Sequence, residues 1–347
     1  MRHTTIYAPQ DQFTGWPANN GLWSWKDEIL VGCSVGAFKA QTGHSISGPI
    51  HSELLRSLDG GETWAAETPA GYLNDPQPLK DLDRRLDFSG DGFAMRVVGT
   101  GYHGTDEPDG GFFVSADRGR TWGGPYRFRG LAEHGDLQSL QMTPRTDYLV
   151  TGSQSCLLFL SVRDPDTWGA DRVFCARTDD AGNSFCFVGW MVPPTDPYRV
   201  VMPSTVRCTD GTLVSAVRRR DMQGGPCWID AYSSADGGRM WTHLCRVGET
   251  GEWNGNPPAL AHLRDGQLCC VYGNRSRKQM IARFSVDQGQ TWEPEIVLRE
   301  DLNSIDGEPD FGYPRLTQRP DGRLMAIYYW ATKDHPQQHI AATIWEA

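Results

Sequence analysis

The eight residues "SLDGGETW" (57–64) return along the chain as "SADRGRTW" (115–122), "TDDAGNSF" (178–185), "SADGGRMW" (234–241) and "SVDQGQTW" (285–292). The copies begin 58, 63, 56 and 51 residues apart. That period is too long for a helical solenoid and suits a unit of about four short strands. Each copy holds an aspartate (Asp59, Asp117, Asp180, Asp236, Asp287) that can accept backbone N–H bonds within a tight turn. A glycine follows two residues later, where the turn leaves no room for a side chain. The closing aromatics, Trp64, Trp122, Phe185, Trp241 and Trp292, can plug the gap between packed sheets. Read this way the boxes build the fold and carry no chemistry of their own.

Each copy follows a strand-like run, such as "GGFFV", "WIDAYS" or "QMIARF", and the later ones have an Asp-Gly turn and a second strand upstream, as in "DGTLVSAVRRR", "DGQLCCVYGNR" and "DGRLMAIYYWA". Counting second strands gives six units: "EILVGCS", "FAMRVVG", "YLVTGSQ", "TLVSAVR", "QLCCVYG" and "RLMAIYY". The sixth ends at "HIAATIWEA" with neither box nor outer strand, while "HTTIYAP" (3–9) is an unused strand at the other end. The expectation is an all-β, six-bladed β-propeller of four-stranded blades forming one domain over 1–347, its ring closed by the N-terminal strand so that no raw edge remains.

Composition fits this reading. Hydrophobic residues make up 39% of the 347, aromatics 11%, and 39 glycines and 22 prolines punctuate the chain throughout. The net charge of −10 disfavours nucleic acid as a partner. No run of eighteen apolar residues suggests a membrane span and no apolar leader is visible, so a cytoplasmic location is expected, although a trimmed secreted chain would read the same. The nine cysteines lack metal-type spacing and read as reduced thiols, with Cys269 and Cys270 on opposite faces of one strand. No phosphate-binding loop, dinucleotide fingerprint or nucleophile elbow appears, and neither cofactor nor metal is expected.

Five S-x-D-x-G-x-T-W turns at this spacing resemble the Asp-boxes of the sialidase (neuraminidase) superfamily, and the resemblance covers essentially the whole chain. It implies an exo-acting glycoside hydrolase that releases a terminal acidic sugar from a glycan, with the active site at one mouth of the central channel. "FGYPRL" (311–316) resembles the segment carrying the nucleophilic tyrosine, which would be Tyr313. A phenol suits that task because a carboxylate nucleophile would be repelled by the substrate's own carboxylate. A tyrosine there can equally pack the channel mouth. The family clamps the carboxylate with three arginines, since guanidinium matches it with two parallel hydrogen bonds. Arg220 and Arg275 stand nine residues after the glycine of their Asp-Gly turns, Arg218 shares a strand face with Arg220, and Arg315 lies two residues past Tyr313. Each could instead be solvated or salt-bridged.

The chain also departs from the pattern. "TGWPANNG" puts Gly15-Trp16-Pro17 where the family opens its first blade with Arg-Ile-Pro. The glutamate that pairs with the tyrosine is expected near "GEWNGNPPAL", where Asn256 falls closest and Glu252 lies four residues early; Glu308 and Asp310 are other candidates for the base. The first-blade loop "FKAQTGHSISGPIHSE" has no aspartate for the acid but offers His44, whose imidazole suits proton transfer near neutrality. His103 in "GTGYHGTD" is a further mouth candidate. Two other readings stay open: a polysaccharide lyase on uronate glycans, using His44 and Tyr313, and a non-catalytic glycan-binding propeller.

Overall fold

The computed structural model describes residues 1–41, 43–72, 77–100, 107–143, 145–167, 169–252, 254–303 and 309–346. Six antiparallel sheets form the blades of a propeller, over 12–67, 94–126, 141–190, 199–251, 259–299 and 312–345. Blade 4 shows the plan, from axis to rim: Arg199–Arg207, Leu213–Arg220, Cys227–Ser234 and Thr242–Gly251. The N-terminal strand Arg2–Tyr7 pairs antiparallel with His339–Trp345 and closes the ring as the outer strand of blade 6, as its sequence suggests.

Blade 3 departs from the sequence expectation. Tyr148–Gly152 pairs with Ser155–Arg163 on the same edge as Gln141–Thr143, so "YLVTGSQ" belongs to an interrupted innermost strand and "SCLLFLSVR" is the second strand. This blade lacks the Asp-Gly turn that marks the second strand in blades 2, 4, 5 and 6, whereas the burial of Cys156 through Val162 fits a strand packed on both faces.

Each box joins the third and fourth strands of its blade. In the first, Ser57 Oγ donates to Asp59 Oδ1 (2.8 Å) and accepts from Gly61 N–H (2.7 Å). Asp59 accepts from the N–H groups of Glu62 and Thr63 (3.0 and 2.9 Å) and the Thr63 hydroxyl (2.6 Å). The Thr63 hydroxyl and the backbone donors hold the Asp59 carboxyl well below the usual carboxylate range. Asp117, Asp180 and Asp287 repeat the arrangement; at Asp236, Met240 offers only its backbone N–H. The box aromatics reach back one blade: Trp122 packs on Trp23 and Leu30, Phe185 on Phe112, and Trp241 on Phe159. Cys269 and Cys270 fall into different interblade clusters, and all nine cysteines are free thiols.

At the axis the inner strands cannot pair with one another, so their carbonyls need other donors. Arg315, on blade 6, donates to the carbonyls of Ala18 (2.6 Å), Thr146 (2.5 Å) and Pro17 (3.4 Å). Arg145, wholly buried, donates to the carbonyls of Pro203 and Pro258, both at 2.9 Å. Between them these two side chains tie blades 6, 1, 3, 4 and 5. Burial pushes Arg145 down to about 10 and Arg315 down to about 9, so both stay charged at neutral pH.

Around this hub three inner-strand segments share one unusual geometry. Trp16, Met202 and Tyr313 adopt left-handed φ of 56°, 58° and 50°, and each precedes a proline. Non-glycine residues pay for this conformation with roughly 1–3 kcal/mol each, and a following proline restricts the backbone further.

Two outcomes are expected. Deleting residues 1–8 strips the partner from the edge of His339–Trp345, so the truncated chain should lose its cooperative melt and aggregate, as seen by calorimetry and gel filtration. The box carboxyls have native pKa values below the unfolded value of about 3.9, so their contribution is complete above that pH and fades as pH falls through the native values. Denaturant midpoints should therefore drop below about pH 4, and Asp287→Asn should flatten part of that drop.

Candidate active site at the channel mouth

Tyr313 enters the mouth on a bulge, between Gly312 and Arg315, where the pairing register of blade 6 shifts. Its N–H donates to Asn256 Oδ1 (3.1 Å), and that buried amide leaves no space beside Gly312, where a Cβ would lie 2.2 Å from Asn256 Oδ1. Glycine at 312 and asparagine at 256 together aim the phenol. Its oxygen accepts from Arg218 Nη1 (3.2 Å), while Arg218 Nη2 donates to Asn254 Oδ1 (2.8 Å) and Met202 Sδ lies 3.8 Å from Nη1. Among the described residues no carboxylate pairs with Arg218. Burial pushes the Tyr313 phenol up, but Arg218, then Arg275 and Arg199, outweigh it and hold the phenol below its ordinary value.

Tyr313 and Arg218 share a cavity of about 380 Å³ with Arg199, Asp171, Arg163, Asp164, Thr143 and Asn19 on its walls. Arg199 Nε donates to Asp171 Oδ2 at 2.5 Å, tying the start of blade 4 to blade 3.

A second cluster lies on the blade 1 side. Asp310, almost fully buried, meets His44 Nδ1 (2.9 Å), accepts from Tyr329 Oη (2.5 Å) and Ser45 N–H (3.4 Å), and faces Arg275 Nη2 at 3.5 Å. Burial pushes the Asp310 carboxyl up, but His44, Arg275 and the Tyr329 hydroxyl outweigh it, and it sits below the usual range. The His44 ring rests edge-on against Trp16 (centroids 4.8 Å apart), and its side chain keeps 15% of its surface exposed. Tyr329 joins the clusters, with its ring 6.0 Å from that of Tyr313 and its hydroxyl accepting from Arg275 Nη2 (3.3 Å).

The structure thus gathers Tyr313, Arg218, Asn256, Arg275 and His44, and it places Arg315 and Glu252 elsewhere. Arg315 is taken up by the axial carbonyls. Arg220 is half-buried two residues beyond Arg218, in register with Arg199 and Cys227. Glu252 is exposed, its N–H donating to Ser276 Oγ. His103 and Glu308 lie outside the described residues. Gly15 cannot be replaced by the family's arginine in this setting, because a Cβ there would lie 2.6 Å from the Phe13 ring. Arg199, Asp171 and Arg163 escaped the sequence reading; they begin or end strands outside any box or Asp-Gly turn, and only their blade-top positions could have flagged them. Among the described residues no cluster of three His, Cys, Asp or Glu could hold a metal ion.

Asn256→Ala would strand the buried Tyr313 N–H at a cost of about 1–3 kcal/mol. Urea unfolding should show that loss, with Gly312→Ala at least as damaging.

A search of curated proteins finds no match to this sequence. Solved structures share its fold. A protein of unknown function from Dyadobacter fermentans superposes with TM-score 0.74 at 19% identity, covering 99% of this chain and 97% of that one. The Penicillium chrysogenum α-L-arabinanase complexed with arabinobiose gives 0.62 at 15% identity, covering 100% and 98%. Trypanosoma rangeli sialidase in complex with sialic acid gives 0.58 at 11% identity, over 98% of this chain and 58% of that one. Residues 89–326 match the model of the BNR repeat-like domain, and the chain belongs to that family of Asp-box propellers.

Proposed function

We propose that this propeller is a glycoside hydrolase acting on a sugar that carries a carboxylate. The observation carrying the reading is the Tyr313–Arg218 contact: a buried phenol, on strained backbone, in the field of arginines and, among the described residues, with no carboxylate hydrogen-bonded to it. An enzyme that attacks a carboxylate-bearing anomeric centre needs a nucleophile that is not itself a carboxylate, and a cationic surround to ionise it. The arginines stabilise the phenolate, where a neighbouring glutamate would instead take the phenol's proton; here that proton leaves to solvent before attack, so asparagine at 256 is no obstacle. Fold neighbours that include an arabinanase and a sialidase are compatible with a glycan at the mouth.

The substrate carboxylate sits on Arg218, with Arg199 alongside. Tyr313 Oη, as the phenolate whose proton has already left to solvent, attacks the anomeric carbon as the bond to the leaving oxygen breaks, and that oxygen takes its proton from His44. Asp310 orients the imidazole and stabilises its cation, as a carboxylate does behind a catalytic histidine. Water then gives a proton to His44 and displaces the phenolate, so the configuration is retained.

Methylumbelliferyl glycosides of sialic acid, keto-deoxy sugar acids and uronic acids test the reading. Turnover of at least one is expected, with Tyr313→Phe lowering kcat by about 10³-fold or more and His44→Ala hurting natural glycans far more than these activated substrates. A folded protein silent across the panel would overturn the proposal. An unsaturated uronate product would replace it with β-elimination.

A further inference from the structure

The cavity beside Tyr313 holds a second guanidinium whose surroundings match those of Arg218. Arg163 closes the second strand of blade 3, in register with Gln141 on one side and Asp171 on the other. Its Nε donates to Gln141 Oε1 (3.1 Å) and its Nη2 to Thr100 Oγ1 (3.3 Å). Both acceptors are neutral. They fix the plane of the group, and among the described residues its remaining N–H donors, including both on Nη1, are left for the cavity that Arg163 lines.

Among the described residues two carboxylates, Asp171 and Asp164, are near enough in register or sequence to neutralise this cation, and neither does. Asp171 is its cross-strand neighbour, yet the carboxylate goes to Arg199 at 2.5 Å. Asp164 follows it directly, yet Asp164 Oδ1 accepts the N–H of Asp166 (2.9 Å) within its own turn. Asp164 also reaches the cavity wall and is half-buried, so it offsets part of the local positive potential without pairing. Arg218 is held in the same manner, by Asn254, Tyr313 and Met202. One cavity therefore presents two guanidinium groups that, among the described residues, no carboxylate pairs with, while Arg199 is already matched by Asp171. Guanidinium groups fixed in this way suit bidentate recognition of an oxyanion.

We infer that the ligand carries two anionic groups, one seated on Arg218 beside Tyr313 and the other on Arg163 between blades 2 and 3. The inference rests on the glycosidase reading only for the first group. The second oxyanion belongs to a sulfate ester on the same sugar or to the carboxylate of an adjoining sugar acid.

Crystals of the protein soaked in sodium selenate test the second seat without knowledge of the substrate. Two anomalous peaks are expected in the cavity, one against each arginine, and Arg163→Gln should remove one and keep the other. A peak at Arg218 alone would overturn the second seat and leave the glycosidase reading standing; no peak at either would remove the carboxylate seat as well. Because a peak could be an adventitious ion only, calorimetry follows with glucuronate, its sulfate ester and its disaccharide. One of the two dianions should bind about tenfold or more tighter than glucuronate, and Arg163→Gln should abolish that difference. The tighter dianion names the source of the second charge. No Arg163-dependent difference among the three would overturn the inference.

Discussion

Arg315 reaches from blade 6 to the carbonyls of blades 1 and 3, and Arg145 reaches from blade 3 to those of blades 4 and 5. A propeller axis is the one place where backbone acceptors meet without a strand to donate to them. Filling it with guanidinium satisfies several carbonyls per side chain at the expense of burying charge. The fixed heights and angles of the inner strands follow from this, and with them the direction in which the residue before each proline points. Tyr313 and Met202 line one cavity and Trp16 supports His44 because their strands are held by the same hub.

The mouth then concentrates two kinds of stored cost. Three non-glycine residues sit in left-handed backbone ahead of proline, and Arg218 is desolvated with no carboxylate opposite it among the described residues. Neither helps the fold. Both fit the proposed function, which calls for a phenol in an electropositive surround, and strain of this kind is kept where the surrounding structure over-determines it. Asn256 does the determining here, gripping the Tyr313 N–H from the next blade. His44 and Asp310 add a hydrogen-bonded imidazole–carboxylate pair, close enough for Tyr329 to touch both halves of the site.

Much of this architecture was legible in the sequence because it is written in local chemistry. The boxes close on themselves through Asp59 and its equivalents, so their spacing reports the blades directly, and an unused strand at residues 3–9 has only one edge to join. Blade 3 differs from its sequence expectation because no Asp-Gly turn marks its second strand and burial decides the order of strands. The site divides along the same line. Tyr313, Arg218 and His44 stand in recognisable segments, whereas the pairing of Arg199 with Asp171 joins separate blades and leaves no trace in either segment alone. Arg315 shows the converse: its position beside Tyr313 suggested a ligand contact, and only the axial packing reveals the carbonyls that occupy it.

Arginines lower the phenol of Tyr313 below its ordinary value while burial raises the other shifted tyrosines. A pH titration of the protein labelled with ¹³C at the tyrosine ζ carbon reads all 11 tyrosines at once. The account requires one resonance, assigned by Tyr313→Phe, to titrate below the usual value near 10 and to move back up in Arg218→Met. A Tyr313 resonance that titrates at or above that value, and does not respond to loss of Arg218, would contradict it.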